Sequence, residues 1–324
     1  MLTVIPYSLP LLRPWTTARG VLHTRQGWLV RVGDAWGDCA PMVEAGTESH
    51  AQAWAALTSW DGGTTEELPA AARCAIESVR LPHRFGGAGT VRVNAALGAI
   101  DDALAASIAD AADAGFQIVK LKLGVRPWAE ELTALEALSL PEGMSLRLDV
   151  NEAWTMAQAS DAVQRLRPLA IDCIEDPLTD PSCDALAALQ AQTSIPLAAD
   201  ACLSRLGVDA LIAAKAVRRL ILKPMVQGGP DRCVAIAARA KAEGIACIVT
   251  TVVESACGVW LAARTAAEID PSAEQTHGLD TSRWLCEDTG QPPPIVRGRI
   301  ALGGGFVPFD EFLQSPAIRL AKPI

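Results

Sequence analysis

Several features are missing from this 324-residue chain, and each absence removes a class of function. No run of about 18 apolar residues occurs, so a membrane-spanning helix is excluded on length. No cluster of Lys and Arg occurs either, and the formal net charge is −9. Binding a phosphate backbone needs a basic face, so nucleic acid is not an expected partner. The four histidines (His23, His50, His83, His277) are dispersed and the nine cysteines form no Cys-x-x-Cys pair, which argues against a zinc site. The cysteines stand singly, many beside Ala, Ile or Val, as small buried hydrophobes do. They read as reduced core thiols of a cytoplasmic protein. Residues 1–15 carry Pro6, Pro10 and Pro14 and lack the basic-then-apolar order of a secretion signal. There is no Gly-x-Gly-x-x-Gly phosphate loop, so a dinucleotide-binding open sheet lacks its main mark.

What is present suffices for one large core or two modest ones, since half the chain is apolar. Residues 1 to about 89 read as a small α+β domain. Leu22 to Val32 has strand character, and helices are expected near 48–60 and 69–81, with Thr47 or Ser49 capping the first. Gly86-Gly87-Ala88-Gly89 is the expected linker. From Thr90 the pattern alternates. Strands are expected at 91–94, 117–123, 146–150, 171–175, 197–200, 220–222 and 245–250. Helices fall between them at 100–115, from Pro127, and at 156–167, 182–192, 205–215, 230–243 and 255–268. Such alternation argues for a parallel sheet covered by helices, and seven or eight units favour a closed barrel. The tail, with a strand expected at 295–302, is expected to return to the N-terminal domain.

Five short stretches recur at a nearly even interval: Val119-Lys120-Leu121-Lys122, Arg147-Leu148-Asp149-Val150-Asn151, Ile174-Glu175-Asp176-Pro177, Ala198-Ala199-Asp200 and Ile221-Leu222-Lys223-Pro224. From Lys122 the steps to Asp149, Glu175, Asp200 and Lys223 are 27, 26, 25 and 23 residues. Each stretch delivers charge where an apolar strand should stop, and barrel active sites are built at the carboxyl ends of strands. Asp149, Glu175 and Asp200, from three successive strands, can converge on a hard divalent cation, Mg2+ first and Mn2+ next. Taken one at a time, each acid is as readily a helix cap or a lysine partner. Lys120 and Lys122 lie two apart and so share a face of their strand, where like charge lowers a lysine pKa toward that of a usable base. The plain alternative, a solvated lysine face, fits poorly between Ile118, Val119, Leu121 and Leu123. Lys223 adds a second cation one unit beyond Asp200.

Together these motifs resemble the enolase superfamily, in its muconate-lactonizing-enzyme subgroup. The Lys-x-Lys, Asp-x-Asn, Glu-Asp-Pro, Asp and Lys signatures stand here in order. The resemblance implies an α/β modified TIM barrel, (β/α)7β, over residues 90–294. It also implies an α+β capping domain over 1–89, completed by tail residues of about 295–324. Within the superfamily the chain is most similar to the o-succinylbenzoate synthase family. The similarity rests on Arg147 and Asn151 flanking Asp149, on Thr250-Thr251-Val252-Val253-Glu254-Ser255, and on His277-Gly278-Leu279-Asp280-Thr281. Thr17-Ala18-Arg19-Gly20 and Gly37-Asp38-Cys39-Ala40-Pro41 resemble loops that close over substrate. Threonines stand where that family usually has serines after the seventh strand.

The resemblance implies Mg2+-dependent dehydration of 2-succinyl-6-hydroxy-2,4-cyclohexadiene-1-carboxylate to o-succinylbenzoate in menaquinone biosynthesis, through an ene-diolate. Lys122 would be the base, Lys223 the cation facing the anion, and Lys120 the neighbour that tunes Lys122. Asp149, Glu175 and Asp200 would hold the metal. Arg19, Thr250, Thr251 and Gly278 would contact the small carboxylate substrate, with Arg147 and Asn151 supporting from behind. N-acylamino-acid racemase, dipeptide epimerase and muconate-type cycloisomerase share the same row and remain open. The eighth-strand segment lacks the Asp-x-Asp expected of a dipeptide epimerase.

Overall fold

The computed structural model describes residues 2–17, 20–80, 89–314 and 318–320. The N-terminal part is an antiparallel sheet of β1 (Leu2–Thr17), β2 (Gly20–Val32) and β3 (Ala35–Cys39), followed by α1 (His50–Ser59) and α2 (Ala70–Arg80). Sequence reasoning assigned no strand before Leu22, and prolines within a run count against one. Pro6 and Pro10 face solvent and pair with β2, and on the other side Pro10 is needed only as an acceptor, its carbonyl taking the Cys286 N–H at 2.8 Å. Leu2, Val4, Ile5, Tyr7 and Leu9 are buried and make the strand an inner wall. Ser49 caps α1, with its hydroxyl taking the Gln52 N–H while the Gln52 side chain takes the Ser49 N–H.

The second part is built on β4 (Thr90–Val93), β5 (Ala95–Ala99), β6 (Ile118–Lys122), β7 (Ser145–Asp149), β8 (Ile171–Glu175), β9 (Leu197–Ala199), β10 (Arg219–Leu222), β11 (Ala246–Val249) and β12 (Thr276–His277). Strands β5 to β11 form one parallel seven-stranded sheet in chain order. The expected strand at 91–94 is only the first half of its element. The chain kinks at Asn94 and continues as β5, so the expected helix at 100–115 shortens to α3 (Leu104–Asp113). That kink closes the barrel. β5 pairs with β6, while β4 pairs in parallel with β12. β12 meets β11 through a bridge between Thr250 and Gly278, and the Gly278 N–H donates to the Val249 carbonyl at 2.9 Å.

Helices α4 (Trp128–Glu136), α5 (Met156–Arg165) and α6 (Cys183–Gln190) cover the next strands. The single helix expected at 205–215 is instead α7 (Ala201–Leu206) and α8 (Val208–Ala213), separated at Gly207. A short α9 (Pro224–Gln227), not foreseen, precedes α10 (Pro230–Ala242), and α11 (Ala256–Ile269) follows β11. Period-two alternation sorts the strand side chains. Val119, Leu121, Leu146, Leu148, Ile174, Leu220 and Leu222 pack outward in the largest core with the helices. Lys120, Lys122, Arg147, Asp149, Glu175 and Ile221 therefore face the barrel interior.

The tail departs from expectation. Residues 295–301 form a hairpin, β13 (Ile295–Val296) and β14 (Arg299–Ala301), and β14 pairs antiparallel with β4 of the barrel. After α12 (Asp310–Gln314), the return to the N-terminal sheet comes with β15 (Ile318–Leu320), which pairs with β1. The expected linker lies outside the described residues except for Gly89.

Candidate active site

The strand register sets the expected charged residues side by side. Lys122 lies opposite Asp149, and Asp149 opposite Glu175, across β6, β7 and β8. Asp200 follows β9 directly and Lys223 follows β10. The ligand oxygens of Asp149, Glu175 and Asp200 lie within 4.8 Å of one another. Lys120 donates to Glu175 Oε2 at 2.5 Å and stands 2.9 Å from Asp149 Oδ2, and Lys223 stands 2.5 Å from Asp200 Oδ1. Three carboxylates this close repel one another and call for positive charge between them. Their all-oxygen donor set, offered by three separate strand ends, fits a hard divalent cation.

The three lysines do not share one environment. Burial disfavours the Lys120 ammonium, but Asp149 and Glu175 outweigh that and hold its pKa above the ordinary value. Lys223 is likewise held up by Asp200 against burial. Lys122 goes the other way. Burial pushes its pKa down, Asp149 opposes, and the charges of Lys120 and Lys223 add to the lowering. The neighbouring-lysine effect expected from the sequence is therefore present but secondary to burial. Asp149 is kept below the usual carboxylate range because Lys120 and Lys122 outweigh its burial. Glu175 is raised by burial, with Lys120 opposing.

Support comes from below. Arg147, 1% exposed, donates through Nε and Nη2 to Asp172 at 2.9 and 2.8 Å, to Asn94 Oδ1 at 3.1 Å and to the Thr276 carbonyl at 2.8 Å. It lies 3.9 Å from Glu175. Asn151 acts differently from expectation. Its side-chain amide donates to the Leu123 and Asp149 carbonyls at 3.1 Å each, and only its backbone N–H, at 3.3 Å, reaches the Asp149 carboxylate.

The expected substrate contacts fare less well. Arg19 lies outside the described residues. The Gly278 and Thr250 N–H groups are used within the barrel, by the Val249 and Leu222 carbonyls, so neither is available to an anion. The Thr250 hydroxyl donates to the Gly278 carbonyl at 2.8 Å, and the Thr251 hydroxyl shares a 2.6 Å bond with Thr281. A Cβ on Gly278 would meet Thr250 Oγ1 at 2.5 Å, so this close seam requires glycine. The segment around Asp38, expected as a closing loop, is instead buried in and after β3.

Sequence reasoning missed two elements. Asp176, at a positive φ of 42°, accepts the N–H groups of Asp200 and Ala201 at 3.0 and 2.6 Å and so pins Asp200 to the end of β8. Burial, with the charge of Asp200, pushes its carboxyl up to about 7. The other is a buried polar network joining the two parts of the molecule. Tyr7 and Ser255 both donate to Asp38, at 2.7 and 2.8 Å. Arg25, 1% exposed, donates to the carbonyls of Ala40, Pro41 and Val253. Val253 has a φ of 62°, a strained value for a β-branched residue, in the loop that begins with Thr250. The Glu-Asp-Pro motif was a signal for Asp176. Arg25 carried none.

The chain belongs to the enolase C-terminal domain-like family, whose model matches residues 103–306. It is 29% identical, over 85% of its length, to the o-succinylbenzoate synthase of Proteus mirabilis, covering 88% of that protein. Its fold is that of the N-succinyl Arg/Lys racemase of Bacillus cereus, at a TM-score of 0.83 and 22% identity, covering 98% of this chain and 99% of that one. It also matches a dipeptide epimerase of Enterococcus faecalis solved with Mg and a dipeptide, at a TM-score of 0.79 and 20% identity, covering 94% and 97%.

Proposed function

We propose that the chain is a Mg2+-dependent o-succinylbenzoate synthase, the hydro-lyase that dehydrates 2-succinyl-6-hydroxy-2,4-cyclohexadiene-1-carboxylate in menaquinone biosynthesis. One observation carries the reading: a pKa-depressed lysine and a charged lysine flank one three-carboxylate cluster, in a chain similar over most of its length to proteins of that name. Asp149, Glu175 and Asp200 would hold Mg2+, or Mn2+ in its place. When bound, the ion supplies fixed positive charge against the substrate carboxylate.

Lys122, whose ammonium burial disfavours, takes the α-proton of the substrate as the amine. Lys223, kept protonated beside Asp200, faces the charge left on the substrate and stabilises it electrostatically. Its ammonium also suits the π-face of the ring. Lys122 then returns its proton to the departing β-hydroxyl. One C–H and one C–O bond break, a ring double bond forms, and water leaves an aromatic product. Lys120 holds Asp149 and Glu175 in place, and its charge adds to the lowering of the Lys122 pKa. Arg147 and Asn151 fix the strand ends from behind. The free and mostly buried cysteines suit a reducing cytoplasm.

The test is proton NMR of the Mg2+-loaded protein with the cyclohexadiene substrate. Appearance of o-succinylbenzoate, abolished by chelation, supports the reading. Lysines on two sides of the cluster also suit proton removal and return at a single carbon, as in racemisation of an N-succinyl amino acid. Exchange of that α-proton in D2O, with the cyclohexadiene untouched, would transfer the function to that reaction.

A further inference from the structure

The opposite end of the barrel holds a second charged site that the proposed reaction does not use. A cavity of about 80 Å³ opens at the floor, where β12 and the β13–β14 hairpin flank β4. Three arginines line it: Arg92 on β4, Arg297 in the hairpin turn and Arg299 on β14. Thr276 and Gln117 complete its polar wall, and among the described residues no carboxylate lines it. The cavity is well above the roughly 10–15 Å³ that one water needs, and it is on the scale of a tetrahedral oxyanion.

Two independent observations show that this positive charge is unmatched. The antiparallel register places Arg299 directly opposite Arg92, and like charges in cross-strand positions destabilise a ladder. Arg92 Nε is buried without a hydrogen-bond partner. Among the described residues, none of the three forms an ion pair, and the one side-chain hydrogen bond any of them makes is a long 3.4 Å contact from Arg299 to Thr90 Oγ1. In a chain of net charge −9, three guanidiniums left together without an acid need a reason.

We propose that this pocket binds a small tetrahedral oxyanion, either inorganic phosphate or the phosphate of a phosphomonoester. Planar guanidinium forks match oxyanion geometry, and one dianion turns the Arg92–Arg299 repulsion into a shared contact. The hairpin is built to sit closely here. Gly298 has a φ of 65°, and a Cβ on it would lie 2.8 Å from the Gly115 carbonyl oxygen. The consequence falls on the barrel seam. β12 is only two residues long, and it pairs with β4 through Thr276 with Arg92 and His277 with Val93. An anion that joins Arg92 to the hairpin braces the strand where the barrel closes.

The test is the melting temperature of the full-length, metal-free protein at pH 8 and constant ionic strength, titrated with phosphate in place of chloride. Wild type and Lys122→Ala should both show a saturable rise of a few degrees, with a Kd on the order of 1 mM. Arg299→Gln, at an exposed position, should weaken that Kd about tenfold. In chloride alone Arg299→Gln should melt no lower than wild type, because it removes a like-charge pair. A merely structural arginine would lower the melting temperature in both buffers. Titration with methyl phosphate separates the sources, since saturation by the ester alone marks a phosphomonoester ligand. No rise in wild type with either anion, or an equal rise in Arg299→Gln, would overturn the proposal. So would a rise lost in Lys122→Ala, which would place the anion at the opposite face.

Discussion

The barrel interior carries charge at two levels, and they differ in how the charges are matched. On the lower level Arg147 and Arg219 share Asp172, whose two oxygens accept from both at 2.5 to 2.9 Å. A register shift in the β7–β8 ladder skips Asp172, which has no partner on β7. Burial notwithstanding, Arg147 and Arg219 keep Asp172 below the usual carboxylate range, and its partners keep Arg147 charged. On the upper level three lysines meet three carboxylates, yet Lys122 is pushed toward neutrality and Glu175 upward. Matched charge of the lower kind fixes structure. Charge pushed off its ordinary pKa at open strand ends is what proton transfer needs.

Arg147→Met should cost the most stability, about 3–5 kcal/mol, because it removes the fully buried member of the pair with Asp172. Chemical denaturation measures it, and a loss under 1 kcal/mol would show that the lower level is not a structural lock.

Next in size is the pH dependence carried by Glu254, 2% exposed and pushed up to about 7 by burial. Its folded pKa lies above the unfolded value near 4.5. The folded state therefore binds more protons between these values, and stability should fall as pH rises from about 4.5 to 7, then level off. Glu254→Gln should remove its share of that slope, roughly 3 kcal/mol, and leave the share that the raised Asp176 carries. An unchanged slope in the variant would assign it elsewhere.

Metal addition should act on the upper level alone. Mg2+ at about 100 times its Kd should stabilise the protein by about 2.7 kcal/mol, and Asp200→Asn should lose most of that gain. A gain retained in Asp200→Asn would place the ion elsewhere.

The smallest expected effect is Arg25→Lys, about 2 kcal/mol. It loses the fork that holds the Val253 carbonyl and leaves the strained loop less supported. Chemical denaturation measures it, and a variant as stable as wild type would show that the fork does not support the loop.

Much of this site was legible in the sequence, for a physical reason. Parallel strands of five residues with outward Leu and Val leave interior positions that folding alone would fill with apolar groups. A Lys or Asp there stands out against that rule, as Lys122, Asp149 and Glu175 do. Barrel strands and helices were legible for the same reason, through clear switches between periods of 2 and 3.6. What failed was local or long-range. Pro6 and Pro10 hid β1, because a proline on the solvent side of a strand reads like a breaker. The kink at Asn94 hid β5, because nothing in the run Ala95-Ala96-Leu97-Gly98 separates strand from helix. The Arg25–Val253 bond spans 228 residues, and no local pattern encodes it. The resemblance implied Thr250 and Gly278 as substrate contacts, but their polar groups close the barrel.

The most direct test of the account is the rate of o-succinylbenzoate formation by Mg2+-loaded wild type and Lys122→Ala, with the melting temperature of each. The variant should fold normally, bind the metal, and lose about 10³–10⁴-fold in rate. A folded variant that turns over within about tenfold of wild type would contradict it, because the depressed lysine would then not be the base.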